Sequence, residues 1–196
     1  MAGAPAPLTA GTIAALIRVV AVIGAGSAGR RFALRCAAAG LDVVLEDVMP
    51  ENLRRAEGEY LALDDGAMTS PGGRLSVALT VEAAVERADL AIDFVPDELE
   101  SKLEIFSLMD RMAPPRTIFL TPSDALSITD LASCVYRPER CFAVRGELLG
   151  RAVRVLYPAG CSEGALAGVE GFLRRVGLSV EIEADPDVPM LVKNLG

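Results

Sequence analysis

The stretch VAVIGAGSAGRRFALRCAAAGLDVVLED, Val20 to Asp47, decides the fold. Val19 to Ile23 is a short apolar run ending in glycines, and Arg30 to Ala39 carries apolar residues at helical spacing until Gly40 stops it. LDVVLED, Leu41 to Asp47, is a second extended run. A strand, a glycine turn, a helix and a strand in that order place the two strands side by side and parallel, because the crossover is right-handed. Gly24, Gly26 and Gly29 form G-x-G-x-x-G between the first strand and the helix. The first glycine permits a tight turn, the second lets backbone approach a diphosphate, and the third lets the helix lie close to the sheet. The amides around Ser27 and Ala28 then stand at the positive end of the helix.

Asp47 closes the second strand at the distance expected of an acid that hydrogen-bonds an adenosine ribose. Glu46 takes that role if the strand ends one residue earlier. A carboxylate there repels a 2′-phosphate and no arginine follows it directly, so NAD is expected in preference to NADP. FAD uses the same fingerprint and is the alternative.

The pattern continues in the same rhythm. Pro50 to Leu63 is helical, DDGAMTSPGGR (Asp64 to Arg74) is an exposed loop, and RLSVALT is a strand. VEAAVERA is a helix with Thr80 as its cap, LAIDFVP a buried strand, and DELESKLEIFSLMDRM a helix with Leu99, Leu103, Phe106 and Met109 on one face. TIFLT, RCFAVR, RAVRVLY and LSVEIE are further strands, with helices at Ser127 to Ala132 and Ser162 to Val176. VPMLVKNLG reads as the first turns of another helix. The class is α/β: a Rossmann-type, doubly wound, mostly parallel sheet with helices on both faces. Residues 1–18 are expected to be a flexible leader and 19–196 one dinucleotide-binding domain.

Composition narrows the function. Apolar residues make up 52% of the 196 and charged residues 23%, enough for a filled interior and too apolar for a disordered chain. A formal charge of -8 argues against nucleic acid, which needs a basic footprint. No apolar run reaches membrane-spanning length and the amino-terminal segment lacks a basic region before its apolar run, so a cytoplasmic protein is expected. Cys36, Cys134, Cys141 and Cys161 form no C-x-x-C pair, and without a single histidine no metal site is expected.

With these segments in order, the sequence resembles the amino-terminal domain of the 3-hydroxyacyl-CoA dehydrogenases. VAVIGAGSAGR, VVLEDV followed by NLRRA, ADLAIDFVPDELESKLEIF, APPRTIFLT, ALSITDLA and RPER carry the likeness from Val19 almost to the end. The resemblance implies NAD lying across the strand ends, contacted by the glycine loop, by Asp47, by Val95, and by an acid and a lysine at Asp97 and Lys102. It also implies oxidation of a secondary alcohol on an acyl thioester, in which a histidine takes the hydroxyl proton, a glutamate orients that histidine, and hydride passes to the nicotinamide.

The residues that would move the proton differ. Counting from RPER puts the histidine position at Arg145, and aligning AVRVLY puts the glutamate position at Arg154, with the intervening loop about three residues short. An arginine is no base near neutral pH, since its pKa exceeds about 12. The family's Asn-Thr-Ser-Ser stretch reads PSDA, Pro122 to Ala125, which puts Asp124 or Ala125 at the serine, and a family asparagine aligns with Lys193. Asp124 and Glu147 are the carboxylates available as a replacement base, or they are simple loop acids; Arg145 and Arg154 are available to an anion. The family's helical second domain is not in this stretch, so the strand ends around Phe142, Val153 and Leu156 are expected to be covered by self-association or a partner protein. Three functions follow. One is an oxidoreductase acting on a hydroxyacyl thioester or small hydroxy acid with altered acid-base residues. Another is a dinucleotide-binding module without turnover, a regulator or partner subunit. Different chemistry in specialised metabolism is a third.

Overall fold

The computed structural model describes residues 17–64 and 73–186. Its strands are β1 (Val19–Ile23), β2 (Asp42–Glu46), β3 (Leu75–Ala78), β4 (Leu90–Asp93), β5 (Ile118–Pro122), β6 (Cys141–Arg145), β7 (Ala152–Tyr157) and β8 (Ser179–Ala184). Its helices are α1 (Ser27–Ala38), α2 (Pro50–Asp64), α3 (Val81–Val85), α4 (Leu99–Met112), α5 (Ile128–Ala132) and α6 (Glu163–Arg175). They build one sheet in the order β3-β2-β1-β4-β5-β6-β7-β8. The first six strands are parallel, β7 turns back antiparallel to β6, and β8 pairs parallel with β7. The order reverses between β1 and β4, which opens a crevice at their carboxyl ends, the place where doubly wound sheets bind ligands.

Alternation along each strand sends side chains to two cores. Val20, Val22, Leu90, Ile92, Leu120, Phe142 and Val144 pack with Phe32, Cys36, Val169 and Phe172 of α1 and α6. Ala21, Ile23, Ala91, Phe119, Cys141 and Ala143 pack on the opposite face with Phe106, Met109 and Leu131 of α4 and α5. Small residues on β1 and β4 let the second helix layer approach closely, while the larger ones fill the first. Phe32 meets Phe172 edge-on at 6.2 Å between ring centres, packing α1 against α6 on one face of the sheet.

Several expectations shift. The helix of the fingerprint begins at Ser27 rather than Arg30, so Gly29 lies inside its first turn. The leader does not run to residue 18: Ile17 is buried, Arg175 donates to its carbonyl at 3.2 Å, and the Arg18 amide reaches Asp89 Oδ2 at 3.0 Å. Phe142, Val153 and Leu156 are 0%, 5% and 0% exposed within this chain, so they leave no strand-end face waiting for cover. Residues 1–16, most of the Asp64 to Arg74 loop, and the carboxyl-terminal helix with Lys193 lie outside the described residues. Thr80, Ser127 and Ser162 cap α3, α5 and α6 through their hydroxyls. All four thiols are free.

Candidate cofactor site

Gly24 leaves β1 at φ +97°, and its amide donates to the Glu46 carbonyl at 2.9 Å, tying the turn to the end of β2. A Cβ at Gly29 would lie 2.0 Å from the Gly24 carbonyl oxygen, which is why α1 starts directly against the turn. At Gly26 the result is the opposite: a Cβ would meet nothing within 4 Å. The outer two glycines are thus required by the protein's own packing, and the middle one keeps a surface clear. Gly26 caps α1 with no side-chain bond, and no acid stands in the first turn. The orphan amides and the positive dipole of this 12-residue helix are directed at the cleared surface. Arg30 braces the loop from behind, with Nε on both Glu59 carboxylate oxygens at 3.0 and 2.9 Å and Nη1 on the Ala25 carbonyl at 3.3 Å.

Asp47, just past β2, accepts from the Ala25 amide at 2.8 Å and from Asn52 Nδ2 at 3.1 Å on Oδ2, and from the Met49 amide at 2.7 Å on Oδ1. A carboxylate offers about four lone-pair sites. One on Oδ1 therefore remains for a hydroxyl, and the carboxylate is already aimed across the glycine turn. Glu46 is the last residue of β2 and is 4% exposed. Burial, then the neighbouring Asp47 charge, push its carboxyl above the usual range, against the opposing effect of the Gly24 amide. Of the two acids, Asp47 is the one whose carboxylate is bonded to the glycine turn. Val48, Met49 and Leu79 stand 78%, 54% and 60% exposed around it, an apolar rim suited to a planar base.

The other half of the crevice is formed by the ends of β4, β5 and β6. Two clefts of about 280 and 440 Å³ share Ala28, Phe94, Pro122 and Gly146. Val95, Asp97, Lys102, Ser123 and Asp124 line the smaller cleft, and Arg31, Glu147 and Leu149 line the larger. The Asp124 amide donates to Asp97 Oδ2 at 3.1 Å and the Gly146 amide to Asp124 Oδ1 at 3.2 Å, so three strand-end loops are bonded in series. Lys102, expected with Asp97 as a contact to the cofactor, lies at the floor of the smaller cleft. It is 1% exposed, and its Nζ donates to Asp93 Oδ1 at 2.7 Å and to the Pro122 carbonyl at 3.0 Å. Burial raises the Asp93 carboxyl above the usual range, and the Lys102 charge is the main opposing influence. Lys102 thus clamps β4 to β5 beneath the cleft. Asp93 was not singled out from the sequence because an acid at the end of an apolar strand gives no signal of its own.

Arg145 and Arg154 are direct partners across the antiparallel β6–β7 pair. The short connection between these strands brings the two positions face to face. Arg154 Nε reaches Glu183 at 3.2 Å and Glu181 at 3.8 Å. Arg145 Nε is buried without a hydrogen-bond partner among the described residues. Asp124 and Glu147 are exposed, and they line different clefts. No group of three potential metal ligands is found among the described residues.

The model of the 3-hydroxyacyl-CoA dehydrogenase NAD-binding domain matches residues 19–145. The chain belongs to the 3-hydroxyacyl-CoA dehydrogenase family. A probable 3-hydroxybutyryl-CoA dehydrogenase of Bacillus subtilis strain 168 is 34% identical over 135 residues, covering 63% of this chain and 46% of that protein. The 5-formyl-3-hydroxy-2-methylpyridine 4-carboxylate 5-dehydrogenase of Mesorhizobium japonicum is 27% identical over 189 residues, 91% of this chain and 61% of that protein. The solved 3-hydroxybutyryl-CoA dehydrogenase of Escherichia coli K12 superposes with a TM-score of 0.76 at 25% identity, covering 86% of this chain and 38% of that one. The chain therefore spans only part of the length of the family members it matches, namely the part that binds NAD. The cradle fits that cofactor: a cleared glycine, an uncapped helix start and an acid poised for a hydroxyl. No described helix is long and apolar enough to cross a membrane.

Proposed function

We propose that this chain is the NAD(H)-holding part of an oxidoreductase that acts on a hydroxyacyl thioester or a small hydroxy acid, with acid-base residues other than the family's usual pair. The observation that carries this is the Gly24–Gly29 turn, whose middle glycine faces open space while Asp47 is braced beside it. In this reading the α1 amides and the turn hold the diphosphate, and Asp47 accepts from a ribose hydroxyl and repels a 2′-phosphate. Gly24, Gly26, Ser27, Ala28, Gly29, Asp47, Val95 and Asp97 form the cofactor surface, with Lys102 fixing the strand ends below it. Bound NAD would supply the hydride acceptor.

The proton needs a protein base, and neither arginine at the positions of the family's pair is one. Asp124 is the better-placed carboxylate: it stands in the same cleft as Asp97, and its Oδ1 is oriented by the Gly146 amide. Glu147 is the alternative, in the wider cleft with Arg31. Two relatives are named for substrates of different kinds, a coenzyme A thioester and a pyridine carboxylate, so a thioester and a free carboxylate both belong in the assay.

The pairing of Arg145 with Arg154 also favours a second reading, a dinucleotide-binding module without turnover that serves as a regulator or partner subunit. Absorbance at 340 nm with NAD and 3-hydroxybutyryl-CoA or 3-hydroxybutyrate separates the two. Turnover that falls about 100-fold or more in Asp124→Asn while NADH still binds supports the enzyme. No turnover in the parent chain, with NADH binding intact, favours the module.

A further inference from the structure

We propose that Arg145 and Arg154 form a binding site for the carboxylate of a small, singly charged ligand, opening beside the cofactor crevice. Its part in a reaction rests on the dinucleotide reading above, whereas the binding itself does not.

Two like charges directly opposite each other across a strand pair repel, so the arrangement needs compensation. Arg154 has it, from Glu183 and more distantly Glu181. Arg145 does not: among the described residues its side chain makes no ion pair, and its Nε is buried with no acceptor. A buried donor left unbonded is costly, and an anion between the two guanidinium groups would remove that cost.

The space for such an anion exists. Arg145, Gly146, Ala152, Val153, Arg154 and Glu181 line a cleft of about 300 Å³, the small end of the range for ligand sites. Glu181 in the lining and Glu183 beside it set two carboxylates against the two guanidinium groups, both on Arg154, and leave Arg145 the cation without a counter-ion among the described residues. That balance suits a monocarboxylate better than a doubly charged phosphate, and planar guanidinium forks match the planar carboxylate. Gly146, at φ +97°, borders this cleft and both clefts of the cofactor crevice. A ligand held here by its carboxylate would therefore extend towards the strand ends that carry Asp97 and Asp124.

The test is titration with 3-hydroxybutyrate, its methyl ester and inorganic phosphate at fixed ionic strength, following the Nε–H resonances of Arg145 and Arg154 by NMR, and in each arginine variant the one that remains. NADH is titrated separately. The site predicts a saturable shift with 3-hydroxybutyrate, none with the ester, and weaker binding of phosphate. Arg145→Gln and Arg154→Gln should each lose about tenfold or more in affinity, as expected for a charge-assisted hydrogen bond. Glu181→Gln should gain affinity, since it removes the opposing charge from the lining. If Arg145→Gln does not fold, Arg154→Gln decides, because that side chain is 47% exposed. No saturable shift, equal binding of the ester, tighter binding of phosphate, or unchanged affinity in the arginine variants would overturn the proposal. Carboxylate binding without NADH binding would sink the dinucleotide reading and leave this site standing; the reverse would sink this site alone.

Discussion

At the scale of single residues, the three glycines of one motif have separable duties. Gly29 is held by contact with backbone, where a methyl group would lie 2.0 Å from the Gly24 carbonyl oxygen and no flexible side-chain end can move aside. Gly29→Ala is therefore expected to lose more than about 2 kcal/mol of stability by denaturant unfolding. Gly26→Ala, with nothing within 4 Å, should stay within about 1 kcal/mol of the parent. It should nevertheless weaken NADH binding about tenfold or more, because the methyl group occupies the surface the diphosphate approaches. The motif's role was legible in the spacing, but the division of labour was not. Only the packing shows which glycine is held by backbone contact and which faces open space. Asp47 is bonded to the Ala25 amide of the turn, whereas Glu46 at the end of the same strand is buried, a difference that spacing alone does not show. Lys102 lines the cleft with Asp97, and its bond to Asp93 is one that sequence spacing cannot show.

At the scale of elements, start and stop signals carried most of the information. Thr80 was read as a cap, and Ser127 and Ser162, read as the first residues of their helices, cap theirs in the same way, each hydroxyl accepting from a specific amide. The helix after the fingerprint was read three residues late, because Gly29 in its first turn looks like loop until its contact with Gly24 is seen. The caps are unequal. Ser162 accepts one bond, from the Ala165 amide at 3.3 Å. Ser127 accepts from the Asp130 amide at 3.3 Å and also donates to Asp185 Oδ2 at 2.7 Å, and that oxygen takes the Thr129 amide at 2.8 Å. This links the chain after β8 to the start of α5. Ser162→Ala should cost about 1 kcal/mol. Ser127→Ala should cost measurably more, since it also removes a donor from a carboxylate; equal losses in thermal unfolding would contradict the link.

At the scale of the molecule, the Rossmann-type order was legible because each strand, turn and helix repeats one local grammar. The direction of β7 and β8 was less so: an antiparallel return after six parallel strands is set by the short connection from Arg145, which leaves no room for a crossover helix. The expected apolar face at Phe142, Val153 and Leu156 failed for a related reason. Apolar residues in an α/β sheet are covered by the chain's own helices before any partner is needed. What the whole molecule offers is a crevice at the β1–β4 reversal, with a cleared glycine turn at its centre and a braced acid at one side. Calorimetric titration with NADH and with NADPH tests that directly. The account predicts saturable binding of NADH at one site per chain, with NADPH weaker and the difference reduced in Asp47→Asn. No NADH binding, or tighter binding of NADPH, would contradict it.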